Sequence, residues 1–145
     1  MSFLVSLSVT ARRVSSLALV AAALAGCATF SAKPESIVRE RATQHWNALI
    51  AGEFDKSYEF MPPSLRAVTP VASYKNKFGG AVKWTAAEPT SVNCESQDRC
   101  VAHMKVTAKV LAFRGVPAAR LPPIVNHYDE TWIRENGQWW LFPTP

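Results

Sequence analysis

The sequence predicts an α+β domain in which three N-terminal helices pack on an antiparallel sheet. Three observations carry this expectation. Apolar residues follow a helical period up to Gly80 and a period of two after it. Residues 101–113 alternate, with Ala102, Met104, Val106, Ala108 and Val110 on one side and His103, Lys105, Thr107 and Lys109 on the other. Asn136-Gly137 then separates two strand-like runs, a strong hairpin signal because both central positions of a type I′ turn need positive φ. Helices first and strands afterwards place the helices on one face of the sheet. At 145 residues, 48% apolar and 19% charged, the chain holds one ordinary globular domain and no second enzyme-sized one.

Residues 1–26 read as an export signal. They contain no acid, carry Arg12-Arg13, and run through an apolar stretch at 14–24 into Ala25-Gly26 and Cys27. That stretch falls well short of the ~20 residues a membrane-spanning helix needs. The apolar stretch at 3–9 is long for an n-region, so initiation is expected downstream of Met1. Leu24-Ala25-Gly26-Cys27 resembles a bacterial lipobox, which implies that Cys27 becomes the mature N-terminus and carries lipid. Each buried methylene contributes about 0.8 kcal/mol, so several acyl chains anchor stably where one is marginal. Ala28 in place of an acid after the cysteine implies, by the same resemblance, the outer membrane, facing the periplasm. Taking 26 residues and two arginines from 145 residues and +5 leaves 119 residues and +3.

With Cys27 assigned to lipid, Cys94 and Cys100 remain as a pair flanking a polar segment between two strand-like runs, and a disulfide across a hairpin mouth is expected. Residues 27–35 form a short tether, and the folded domain is expected over 36–145. Val38, Ala42, His45/Trp46 and Leu49 mark the first helix, stopped by Gly52. Phe54, Tyr58 and Met61 mark a second, ended by Pro62-Pro63. Thr69-Pro70 reads as N-cap and first helical position of a third, bearing Val71, Tyr74 and Phe78. Strands follow at 82–87 and 90–94 with a bend or bulge at Pro89, then at 101–113, 124–135 and 138–143, with a loop at 114–123. The two-residue turn sets Ile133 opposite Trp140, Arg134 opposite Trp139 and Trp132 opposite Leu141.

The string from Arg41 to Tyr58, a long helix turning at Gly-Glu-Phe-Asp into a Tyr-bearing helix, resembles the nuclear transport factor 2-like, or cystatin-like cone, superfamily. The closing hairpin from Glu130 to Leu141 resembles it too. The resemblance implies a curved sheet that encloses a conical pocket with the helices. It also implies, for enzymes of isomerase or dehydratase type, a base and an oxyanion donor inside that pocket. The corresponding candidates are Asp129 as base, Tyr58 or Tyr74 as donor, and His127 as auxiliary. His127 and Asp129 share strand parity with Val125 and Ile133, which leaves their facing open.

No nucleotide-binding glycine motif, HExxH, GxSxG or EF-hand string occurs in the sequence, and no metal or cofactor is expected. Of the three histidines, His103 is expected on the wet side of its strand and His45 as a hydrogen-bonded boundary residue. Trp46, Tyr58, Tyr74 and Trp132 are the candidate pocket residues. Trp139 and Trp140 cannot both face inward on a regular strand, so one is expected outside, stacked under Arg134. Basic residues are scattered rather than clustered, and nucleic acid is excluded as a partner class. The functional expectation is a lipid-anchored envelope protein acting as a non-catalytic binding or assembly module. Its expected partners are the membrane through the lipid, an apolar small molecule or an envelope protein, and a second copy through the sheet face. Two alternatives stand beside it: a pocket isomerase or dehydratase using Asp129 and a Tyr, and a structural subunit docking through its open sheet face.

Overall fold

The computed structural model describes residues 32–78, 80, 82–113, 116–117 and 120–142. The export signal and Cys27 lie outside the described residues. Helix α1 spans Pro34–Ala51. Proline suits its first position because the missing N–H would have no partner there. The helix thus starts two residues before the domain boundary expected at 36. Gly52 ends it at φ 76°, its N–H turned back on the carbonyls of Ala48 and Leu49. Val38, Ala42, His45, Trp46 and Leu49 make the buried stripe, as the periodicity predicted.

The remaining helices are short: α2 is Phe54–Tyr58, α3 is Pro63–Val68 and α4 is Val71–Lys75, continued by a 3-10 turn at Asn76–Phe78. Among the described residues the expected count of three α-helices is therefore corrected to four. Pro62-Pro63 ends one helical turn and also starts the next, with Pro62 as N-cap and Pro63 inside α3. Thr69 consequently closes α3 rather than capping α4, whose N-cap is Pro70.

The main sheet is antiparallel and open, in the order β1-β2-β5-β6. Its strands are β1 (Val82–Ser96), β2 (Arg99–Val110), β5 (Ile124–Glu135) and β6 (Gln138–Phe142). Pro89 does not divide β1; it sits at one of three register shifts in a continuous strand. Inside the expected 114–123 loop, Val116–Pro117 forms β4 and pairs with β3, Ala112–Phe113, as a separate ladder. Trp132 faces Leu141, Ile133 faces Trp140 and Arg134 faces Trp139, as the turn requires, with Asn136 at φ 52° and Gly137 at φ 78°. A disulfide joins Cys94 to Cys100, which are direct partners across β1 and β2.

The helices cover one face. Cys100, Ala102, Met104 and Val106 of β2 meet Val38, Ala42, Trp46 and Leu49 of α1, and Trp132, Trp139 and Leu141 complete the core. Ala42 and Ala102 are both fully buried, and their small side chains let the helix lie close to the sheet. Trp139 is the inward member of its pair. Trp140 takes the other parity, and the cations beside it are Arg41 and Arg66, not Arg134. A hydrogen bond from the Leu141 N–H to the Phe60 carbonyl, 2.8 Å, fastens the helical layer to the edge of β6.

Candidate functional site

Between the second half of α1, the α4 segment and the sheet lies a cleft of about 310 Å³. Five aromatic rings line it: Trp46, Tyr74, Phe78, Trp84 and Tyr128. Trp46 touches Trp84 edge-on and Tyr128 at a tilt, both at 5.5 Å between centroids, and Phe78 joins Tyr74 and Trp84 at 4.8 and 5.6 Å. Such offset contacts hold the rings apart at an angle instead of letting them collapse into a stack. A groove of about 370 Å³ shares Leu49, Lys77, Phe78 and Trp84 with the cleft.

Polar chemistry enters the cleft through His45. Its Nδ1–H donates to Glu130 Oε1 at 2.9 Å, and Glu130 Oε2 accepts from Trp132 Nε1–H at 3.3 Å. His45 is 5% and Glu130 7% exposed. A carboxylate held at Nδ1 fixes the ring and its tautomer, leaving Nε2 as the nitrogen free to act. Tyr74 shares a hydrogen bond of 2.9 Å with Ser57. Burial raises the Tyr74 pKa, the Ser57 hydrogen bond opposes the rise, and the Glu130 charge adds to it. Its hydroxyl is therefore a neutral donor at physiological pH. Trp46 has a buried Nε1–H with no acceptor among the described residues.

Of the candidate pocket residues, Trp46 and Tyr74 line the cleft. Trp132 is fully buried beneath it as the donor to Glu130. Tyr58 is spent on structure, donating to the carbonyls of Arg66 and Thr69 at 3.0 and 2.6 Å. Asp129 and His127 lie on the opposite face. Strand pairing decides this: Ala102 and Met104 face the helices, so their partners Glu130 and Tyr128 do too, while His103 and Lys105 carry Asp129 and His127 outward. The structure therefore does not bring Asp129 to either tyrosine. Asp129 instead accepts from His103 Nδ1–H at 2.6 Å, and His103 Nε2 accepts from Asn93 Nδ2–H at 3.2 Å. His103 thus lies on the wet side of its strand, as expected, and is bridged there across three strands.

Sequence reasoning missed Glu130. The signal was present: the NG turn puts Trp132 opposite Leu141, and Glu130 shares their parity, facing a helix that offers a histidine. Among the described residues, no group of three or more His, Cys, Asp or Glu is arranged to hold a metal ion, and no helix is long and apolar enough to cross a membrane. Fold and site define an α+β domain with one helix-covered sheet face and an aromatic cleft carrying a buried His-Glu pair. No protein-family model matches the chain, and no curated protein matches it.

Proposed function

We propose that the protein is a lipid-anchored envelope protein of bacteria whose nuclear transport factor 2-like domain binds a small apolar or aromatic molecule. The observation that carries this reading is the aromatic cleft, which has the concave, mostly apolar lining with few polar groups that small ligands need. A helical layer on one face of a four-stranded antiparallel sheet supports the cone reading. The Cys94–Cys100 disulfide supports an oxidising compartment, and the lipobox-like string ending at Cys27 supports anchoring there.

Titration with the neutral fluorophore N-phenyl-1-naphthylamine tests the binding reading. Saturable binding at one site per chain is expected, weakened at least tenfold by Trp46→Ala, a loss of about 1.4 kcal/mol. Binding unchanged in both Trp46→Ala and Trp84→Ala would refute it. A second reading, proton transfer within the same cleft, is favoured by the His45–Glu130 pair and the neutral Tyr74 hydroxyl, not by Asp129. It requires a bound molecule to be chemically altered, and altered no longer in His45→Ala.

A further inference from the structure

Arg41 on α1 and Arg66 on α3 are half-buried. Each has a buried Nε–H with no acceptor among the described residues. Among the described residues neither forms an ion pair: the carboxylates that do so are taken by His45, Lys56, Lys75, Arg99, His103 and Lys105. Burying part of a guanidinium without a counter-charge is costly, because the N–H donors that lose water gain no acceptor in exchange. At Arg41 burial lowers the pKa of the guanidinium.

Aromatic rings compensate in part. The Arg41 Cζ lies 5.0 Å from the Phe60 centroid, 5.7 Å from Trp132 and 6.0 Å from Trp140. The Arg66 Cζ lies 5.9 Å from the same Trp140 ring and 6.0 Å from Tyr58. A π face stabilises the charge of a guanidinium but accepts none of its in-plane N–H bonds. The two cations therefore share one indole, and their buried Nε–H groups have no acceptor among the described residues. Glu130, which touches Trp132, is already held by His45 and by the Trp132 N–H. None of Arg41, Arg66 and Trp140 lines the aromatic cleft.

We infer that Arg41, Arg66 and Trp140 form a second binding site, for an oxyanion: the phosphate or carboxylate group of a small ligand. A planar fork of donors matches such a group, and the charge-assisted bonds are about twice as strong as neutral ones. With the Nε–H groups buried, an anion would meet the terminal N–H groups of the two half-buried guanidiniums.

The test uses the full chain in detergent with ¹⁵N-labelled arginine, following the Nε–H resonances through titration with inorganic phosphate, glycerol 1-phosphate and citrate. Sodium chloride at matched ionic strength is the control. The Arg41 and Arg66 resonances are expected to move together and saturate with at least one of the three anions, and not with chloride. The affinity falls at least tenfold in Arg41→Gln and in Arg66→Gln, while naphthylamine binding in the cleft persists. Response to inorganic phosphate assigns a free phosphate, response to glycerol 1-phosphate alone assigns a phosphate ester such as a lipid headgroup, and response to citrate alone assigns a carboxylate. Shifts reproduced by chloride, an absence of shifts in the unaltered chain, or equal affinity in both variants would overturn the inference. If a variant fails to fold, the titration of the unaltered chain decides.

Discussion

Glu130 and His45 meet on the helix-covered face of the sheet, where water is scarce and each is the other's main polar partner. Removing one member of such a buried pair costs more than removing both, because the survivor keeps its desolvation penalty. Glu130→Ala is expected to lower unfolding stability by about 3–5 kcal/mol, and His45→Phe combined with Glu130→Leu by much less, as read from urea denaturation. Tyr74 gives a pH signature. Its folded pKa lies above the ordinary value of 10.0, so between those two values the native state holds a proton that the unfolded state has lost. The stability this contributes is complete below pH 10 and disappears as pH rises through the folded pKa. Alkaline titration should show that loss, and Tyr74→Phe should remove it. At this scale the sequence was half legible. Trp46 and Tyr74 were found because aromatic residues on a helical stripe point inward. The facing of Asp129 stayed open because β5 carries apolar residues on both parities, and only its pairing with β2 distinguishes the faces.

The β1–β2 hairpin is closed at its mouth by the Cys94–Cys100 disulfide, with a sequence separation of 6. So short a loop removes little entropy from the unfolded chain. Replacing both cysteines by serine is expected to cost about 2 kcal/mol, the low end for disulfides, measurable as a lower midpoint that reductant reproduces in the unaltered protein. The β5–β6 hairpin was legible to the residue because one turn type dictates register. Of the short helices, α2 and α4 were marked by their aromatic residues, whereas the six-residue α3 was not read and the limits of all three were missed. Helix α3 is too short to show a period, and it starts at the prolines that were read only as a stop. The irregularity expected at Pro89 is there as a register shift, but pairing with β2 continues through it, so the two expected strands are one.

At the scale of the whole molecule, the proposed anchor separates what the chain is from where it sits. Cys27→Ser should release the protein from the membrane fraction or leave an unprocessed precursor, as judged by fractionation and mass. Unchanged size and fractionation would rule the lipid out. Confinement to a membrane plane would raise the frequency with which neighbouring copies collide side by side, and open sheets are vulnerable to growing into one another through unpaired edges. The two edges of this sheet are β1 and β6. On β6, the Phe60 carbonyl already occupies the Leu141 N–H. On β1, Pro89 offers no N–H and its carbonyl accepts from Arg39 Nη1 at 2.7 Å. An incoming strand would meet a plugged donor on one side and a plugged acceptor on the other, and at these two positions it could not complete its ladder.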